Sequence, residues 1–533
     1  MANVLAKSSD EYNLDVSHFS IGSHWLYDED SRLDATTYAS GAFFALDAIE
    51  ACRYPKESIG EQCGTIWHPV QNQARSNFKR IYTKPEHGVP FVSSKDMFFL
   101  PLRPERFLSR RMPKLGDLMV PEGWLLLSRS GTVGNVLYVN RTLASCAITD
   151  HAIRIQPTNI PSGYLYAFLS SSYGQPIIAK GTYGSTVDEI EPKHLASIPI
   201  PKPPESVQHS IHDKIIQAYT LRDEANDQLS SAEHYLYELL GVSPFSEEDI
   251  EYFGNADDPR AFIVSTNELN DRFDASNHVP IVQSAIHKLE KGSFPLVQLA
   301  EKCATVFIPA RFKRNYVVSD KGVPYLLPSQ IPTMRPYEMK GLSRSQAKEC
   351  PEYLLTEGQV LLTTDGTIGR VHPVTRRMVG WFGSNNMARL WDEKTDMGFL
   401  YAYLATPYGK HQVCKEIYGG VIDHINEKHI NAVLVPDVPK DYQIEIGDLV
   451  RSAFTKKDRA NELEDLAIAE MESVIMNKHE QPLKLVKNPE EPQSEADRFK
   501  AFVKKVVSVP KEEIDKRQAE YEAKKSEKKS EKK

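Results

Sequence analysis

Two glycine turns carry the residues with the most chemical promise. "SRSGTVG" (128–134) and "TTDGTIG" (363–369) each close a short apolar run and set small hydroxyl side chains around paired glycines, whose N–H groups can bind an oxyanion. Taken singly, such a turn is either a phosphate cradle or a tight structural turn. Cations and an aromatic precede each: Arg75, Lys79, Arg80 and Tyr82 before the first, Arg311, Lys313, Arg314 and Tyr316 before the second. Lys and Arg neutralise phosphates whatever the base sequence, while Arg, Gln and Ser near a groove read base edges. The candidate nucleic-acid contacts are these eight residues together with Ser94, Lys95, Ser128, Arg129, Thr132 and Tyr183, and their partners Ser329, Gln330, Thr363, Thr364, Thr367 and Tyr418.

Other chemistry is sparse. The chain has no G-x-x-x-x-G-K-[ST], no G-x-G-x-x-G after a strand, no H-E-x-x-H and no G-x-S-x-G. Its six cysteines include no C-x-x-C pair, which suits reduced thiols rather than disulfides or zinc. "PDVPKDYQIEI" (436–446) has carboxylates without the lysine a nuclease cluster needs, so they read as surface. No catalytic residues and no metal ligands are expected.

The turns recur because the chain is one unit written twice. In a single register, Glu122-Gly123 falls on Glu357-Gly358, "GYLYAFL" (163–169) on "GFLYAYL" (398–404), Tyr183-Gly184 on Tyr418-Gly419 and Lys193-His194 on Lys428-His429. Upstream the offset drifts slightly: "FKRIY" (78–82) meets "FKRNY" (312–316), "GVPF" (88–91) meets "GVPY" (322–325), and "RLDA" (32–35) meets "RFDA" (272–275). "GWLLLS", "GQVLLT", "HLASIPIP" and "HINAVLVP" read as strands. "GYLYAFLSSSYG" and "GFLYAYLATPYG" read as core-packed helices with Gly174 and Gly409 as C-caps, and the duplicated Lys-His pairs as structural.

At 533 residues, 41% hydrophobic and 26% charged, the chain is an ordinary globular composition of more than one domain. It lacks a run of apolar residues suited to a membrane span or signal peptide, so a cytoplasmic protein is expected. The net charge of −8 opposes polyanion binding. Local charge argues the other way: between Val70 and Leu115 ten Lys or Arg face three Asp or Glu, and between Val306 and Lys348 eight face two.

A long helix follows each unit. Ile211, Ala218, Ala225, Ala232 and Leu239 recur every seven positions, as do Ile446, Ala453, Ala460, Ala467 and Val474. Matched heptad seams predict that the two helices pack on each other as an antiparallel coiled coil, with the domains at opposite ends about an approximate twofold axis. Such a helix spans roughly 55 Å, the length of about 16 base pairs.

Together the duplicated sets "FKRIY…GVPF…EGWLLLSRSGTVG…GYLYAFL…KH…IPIP" and "FKRNY…GVPY…EGQVLLTTDGTIG…GFLYAYL…KH…VLVP", each followed by a helix, resemble the specificity subunits of type I restriction-modification systems. The resemblance spans about residues 19–478. It implies an α+β fold of two tandem homologous target-recognition domains of mixed α and β structure, separated by two long conserved helices packed as an antiparallel coiled coil. The expected boundaries are 1–203, a first recognition domain with an N-terminal extension; 204–241, a spacer helix; 242–438, a second recognition domain; 439–478, a second spacer helix; and 479–533, a charged, partly disordered tail. It further implies a non-catalytic subunit that reads a bipartite, asymmetric site in double-stranded DNA. Its partners would be two DNA adenine methyltransferase subunits, which bind S-adenosylmethionine, sometimes joined by a motor-nuclease subunit. The lysine-rich tail and N-terminal extension depart from the shared pattern, which leaves a specificity protein of another phage-defence or DNA-modification system as an alternative. Readings of another class are a nucleotide-binding enzyme using the GT[VI]G turns, or an interaction scaffold.

Overall fold

The computed structural model describes residues 41–70, 79–130, 133–183, 188–245, 263–266, 269, 272–318, 321–337, 339–419 and 422–477. Arg75, Thr132, the "RLDA" segment and the tail from 479 onward lie outside them. Among the described residues no helix is long and apolar enough to cross a membrane.

The first domain contains β1 (Lys56–Ser58), β2 (Cys63–Trp67), β3 (Tyr82–Thr83), β4 (Gly88–Val92), β5 (Arg106–Ser109), β6 (Leu125–Ser128), β7 (Val136–Tyr138), β8 (Ala147–Ile148), β9 (Ala152–Pro157) and β10 (Pro199–Pro201). The second contains β11 (Leu296–Gln298), β12 (Thr305–Phe307), β13 (Tyr316–Val317), β14 (Val323–Leu326), β15 (Lys340–Leu342), β16 (Val360–Thr363), β17 (Val371–Pro373), β18 (Phe382–Gly383), β19 (Met387–Trp391) and β20 (Leu434–Pro436). Strand order is the same in both: a core sheet β2-β9-β6-β7 answers β12-β19-β16-β17, and an outer sheet β3-β5-β4-β8 answers β13-β15-β14-β18. A two-strand clip, β1 with β10 or β11 with β20, joins the domain's two ends. β6 and β16 run through the middle of the core sheets and are buried along their whole length, which is why "LLLS" and "VLLT" read as continuous apolar runs rather than alternating ones.

The helices are likewise paired: α1 (Ser162–Ser170), α2 (Gly174–Lys180), α3 (Pro192–Ser197) and α4 (Glu205–Leu240) in the first half, α5 (Met397–Ala405), α6 (Pro407–Lys415), α7 (Glu427–Asn431) and α8 (Lys440–Ile475) in the second. The aromatic stripes of α1 and α5 are core, with Tyr164, Tyr166, Phe168, Phe399, Tyr401 and Tyr403 all buried. Two expectations need correction. Gly174 and Gly409 do not cap those helices; they lie in the helices that follow, α2 and α6, where an added Cβ would strike Phe168 O at 2.2 Å and Leu404 Cα at 2.6 Å. Close chain approach, not a left-handed turn, requires glycine there. "HLAS" and "HINA" are not strand either: they lie in or just beyond the one-turn helices α3 and α7, and only the Pro-Ile-Pro and Leu-Val-Pro that follow are extended.

α4 and α8 pack side by side. Ser210 bonds Glu470 at 3.0 Å, Arg222 bonds Asn461 at 2.9 Å, Gln228 bonds Ser452 at 2.9 Å, and Tyr235 bonds Glu445. As the number on one helix climbs, that on the other falls in near-equal steps, so the pair is antiparallel. Ala218, Ala225, Ala232, Ala453, Ala460 and Ala467 are all buried in this seam, where their small side chains let the backbones approach. A buried ionic group breaks the symmetry. Arg222 pairs with Glu464, which Arg335 also contacts at 3.3 Å. Burial alone would raise the Glu464 carboxyl, but the two guanidinium charges outweigh it and hold it down to about 2.

The equivalent of Arg222 on α8 is Lys457, which faces no carboxylate across the seam. Its Nζ lies 2.7 Å from His372 Nε2, and His372 Nδ1 donates to Pro373 O, so Nε2 is the acceptor and Lys457 the donor. Burial pushes Lys457 down to about 7, against the weak opposing charge of Asp458. The domains do not only sit at opposite helix ends, as the seam suggested; they also touch each other beside the helix midpoint, through Phe98–Leu100 and Pro332–Met334.

A lysine whose folded value lies below its unfolded one carries fewer protons folded than unfolded between those two values, so stability rises with pH across that window. Lys457→Met is therefore expected to raise the Tm, and its advantage over the wild type should grow as pH is lowered from about 10 toward 7. Calorimetry of both proteins across that range checks it; a constant difference would show that Lys457 stays charged.

Candidate nucleic-acid interface

The outer sheets present the cationic stretches to solvent. Among the described residues β3 and β13 are edge strands, pairing with β5 and β15. On them Tyr82 is 46% exposed and Tyr316 51%. Each ring lies beside a cation from the neighbouring strand, Arg106 at 5.8 Å from the Tyr82 ring and Lys340 at 5.2 Å from the Tyr316 ring. Lys79, Lys95, Arg311, Lys313 and Ser329 are exposed nearby in sequence, and Ser94 is half-buried. An exposed aromatic face flanked by cations suits both phosphate neutralisation and stacking.

Arg80 and Arg314 occupy the same place but meet different partners. Arg80 pairs with Asp150 and lies 5.2 Å over the Phe91 ring. Arg314 instead donates to Tyr325 Oη at 2.8 Å and to the neutral Asn385 Oδ1 at 2.9 Å. Burial would raise the Asp150 carboxyl, yet its bond and ion pair with Arg80 hold it below the ordinary carboxylate value. The first domain's arginine is thus neutralised in place, and the second's keeps its full charge.

Asp150 and Asn385 are held by a pair of residues that the motifs did not single out. Arg154 is almost wholly buried; its guanidinium donates to Thr149 O at 2.9 Å, Ile148 O at 3.0 Å and Ala152 O at 2.5 Å. Arg389 does the same, to Ser384 O at 2.9 Å, Gly383 O at 2.8 Å and Met387 O at 2.6 Å. Burial pushes both guanidinium groups down to about 10. They are positioning residues, stapling the turn between β8 and β9, or β18 and β19, that faces the cationic edge. The signal was present: an arginine in matching places of two buried apolar strands, "HAIRI" (151–155) and "NMARL" (386–390).

The glycine turns are a different matter. Ser128, Thr363 and Thr364 are fully buried, and Arg129 is 8% exposed. Thr363 Oγ1 donates to Thr367 O at 2.6 Å and accepts from the Arg370 N–H at 3.0 Å. The N–H groups of Gly134 and Gly369 donate to Ser128 O and Thr363 O at 3.1 and 3.2 Å, and that of Gly366 to Asp423 O at 3.0 Å. Donors engaged within the turn are not available to a phosphate, so the nucleotide-cradle reading loses its warrant at the described amides. Gln330, too, is turned inward, bonding Tyr337 O and the Leu327 N–H. These residues were expected as surface contacts; the structure turns them inward instead, Ser128 and Thr363 because they end strands that are buried to their last residue, and Gln330 through its own bonds to the Leu327 and Tyr337 backbone. Thr367, Tyr183 and Tyr418 do reach solvent.

At the tips the backbone is shared and the charge is exchanged. Tyr183 bridges Glu189, and Arg129 bonds Glu189 at 2.8 Å and Glu191 at 3.5 Å. In the second copy Tyr418 bridges His424, which pairs with Asp365. The duplicated His194 and His429 sit behind these hairpins; an added Cβ on Gly181 would overlap the His194 ring, and His194 Nε2 lies 2.8 Å from Ile177 O.

Residues 87–231 match the sequence family described as the type I restriction modification DNA specificity domain. The matched segment runs from β4 into α4, and the second half repeats its strand order and its edge. Among curated proteins no relative matches. Solved structures similar to it include the S subunit of a type I restriction-modification system from M. genitalium, at 13% identity over 80% of this chain and 96% of that one, with a TM-score of 0.31. Another is the HsdS subunit from Thermoanaerobacter tengcongensis, at 14% identity over 80% and 97%, with a TM-score of 0.26. A third, at 13% identity over 80% and 98% and a TM-score of 0.25, is described as the structural basis of complex assembly and conformational transition of the type I R-M system. The specificity-domain match ties residues 87–231 to DNA recognition.

Replacing Arg154 or Arg389 by Met is expected to leave three or more buried carbonyls without donors, at about 1–3 kcal/mol each. Hydrogen exchange should then speed up selectively at residues 148–152 or 383–387. Uniform exchange across the domain would show that the staple is not local.

Proposed function

We propose that this specificity protein reads a bipartite, asymmetric site in double-stranded DNA, one half through each domain, and brings adenine methyltransferase subunits to it. The observation that carries the reading is the duplication itself. The domain that matches the DNA specificity family and its structural repeat stand on one antiparallel helix pair, and each turns a tyrosine–cation edge to solvent. The halves differ in what they offer: a neutralised arginine and an Arg129–Glu189 tip in the first, a free guanidinium charge and an Asp365–His424 tip in the second. Unequal surfaces read unequal sequences.

The chain's own part is binding and spacing, not bond-making. Methyl transfer to adenine would be the work of partner subunits that hold S-adenosylmethionine, and cleavage, where it accompanies modification, that of a motor-nuclease subunit. The negative total charge fits this division, since the cations are concentrated where duplex would lie and the rest of the surface is left to protein partners. A cytoplasmic location goes with it.

Titration of random duplex DNA across a salt series, with the methyltransferase present, is the direct test. Binding should weaken with salt, and Lys313→Ala/Arg314→Ala should flatten the log–log slope by up to roughly 0.9 for each phosphate no longer neutralised. Lys79→Ala/Arg80→Ala should flatten it less, because Arg80 is already paired with Asp150. Salt-independent absence of binding would refute the reading.

A further inference from the structure

The two domains meet at a place neither helix supplies. The Leu100 N–H donates to Pro332 O at 2.9 Å and the Met334 N–H to Phe98 O at 2.7 Å, with Phe99 and Thr333 facing each other between them. In the register that aligns "GVPF" (88–91) with "GVPY" (322–325), Thr333 is the counterpart of Phe99, so each strap grips its own duplicate across the twofold axis. The Phe98 ring packs 6.1 Å from that of Tyr337, and the Arg370 guanidinium lies 5.3 Å over the Phe99 ring.

Both straps are tied to the helix pair by one repeated residue. Asn226 Oδ1 accepts from the Leu102 N–H at 3.0 Å, and Asn461 Nδ2 donates to Met334 O at 3.1 Å. These asparagines are equivalent, closing "DEAN" (223–226) and "DRAN" (458–461). An incidental contact between neighbouring domains would not be reciprocal, on the axis, and anchored by the same side chain twice.

We propose that this clasp, and not the helix pair alone, sets the separation and relative rotation of the two recognition surfaces, and so the number of base pairs tolerated between half-sites. The inference rests on the DNA reading given above. Changing the gap by one base pair moves the second half-site about 3.4 Å along the duplex and turns it by roughly 35°. The helix pair already holds each domain near its midpoint, through Thr142 on Asp223 and Thr375 on Asp458; the clasp adds a direct backbone link from one domain to the other, which resists rotation of one against the other.

The test sets like charges across the axis in Phe99→Glu/Thr333→Glu and opposite charges in Phe99→Glu/Thr333→Lys, since facing strand pairs are destabilised by the first and stabilised by the second. Each full chain is expressed with its methyltransferase, and modified adenines are mapped across the host genome. The wild type should show a single gap. The Glu/Glu variant should keep both half-sites but lose roughly half of its modified positions to gaps one base pair longer or shorter, and Glu/Lys should restore the single gap. Spin labels on non-canonical residues at Lys114 and Lys348 report the clasp without DNA, as one distance in the wild type and a broadened spread in Glu/Glu. A broadened spread with an unchanged gap overturns the proposal, and so does an unchanged spread in a folded Glu/Glu protein. A wild type that directs no modification and binds no duplex overturns the DNA reading, and the gap proposal with it, while the label distances still tell whether the clasp holds the domains.

Discussion

Everything in the molecule hangs on two helices that lie antiparallel with alanines between them. A head-to-tail duplication gives two copies of one domain but no symmetry in space. Antiparallel packing of α4 on α8 creates it, because the helix leaving one domain ends at the other. The alanine seam is self-complementary, and a self-complementary seam tolerates slippage by a heptad. The Arg222–Glu464 pair removes that freedom. A slip would leave both charges buried and unpaired, a penalty of several kcal/mol, whereas the pair in register adds little net stability over an apolar filling. The opposite half of the seam has Lys457 on His372 instead, so the buried ion pairs Arg222–Glu464 and Lys214–Glu470 specify register from one half of the seam, and the duplicated half is free to lose its partners.

The same pattern, a shared frame with unequal contents, repeats at each level of the domains. Arg154 and Arg389 staple the same turn in both copies, and what that turn then offers is Asp150 in one and Asn385 in the other. One atom exchanged, carboxylate oxygen for amide nitrogen, decides whether the neighbouring arginine is neutralised by an ion pair or keeps its charge. At the hairpin tips the bridges between backbones are conserved while Arg129 with Glu189 becomes Asp365 with His424. Divergence in charge costs nothing in fold stability where backbone bonds and buried arginines already hold the geometry.

Much of this was legible in the sequence because duplication makes a chain its own alignment. The two strand-and-turn units, the aromatic helices and the heptad seams all show as matched positions, and the structure keeps them. What misled was local reasoning at single residues. Gly174 and Gly409 look like helix caps until the chain that passes within van der Waals reach of them is seen. Ser128 and Thr363 look like surface contacts because hydroxyl groups near a turn usually are; here each ends a strand that is buried along its whole length. Arg154 carried a signal only the duplication exposes, an arginine at matching places of two buried apolar strands. The clasp had no sequence signal at all, since Phe99 and Thr333 differ in kind and meet only once the helices have folded back.

The clasp and the seam also divide the mechanical work in a way neither could manage alone. A helix of 36 residues is about 54 Å long and bends under modest load. Held to the helices alone, each domain could swing with the bending of its helix, and a protein that binds through both domains would lose affinity to the entropy of that motion. Two backbone hydrogen bonds on the axis are weak individually, but they act at the point of greatest leverage and close a ring of contacts running from one domain, through a helix, to the other domain and back. Preorganisation of this kind raises affinity without adding a single contact to the duplex. It also makes the distance between the two cationic edges a property of the whole ring, which is why residues far from either edge, Asn226 and Asn461 among them, belong to the recognition machinery.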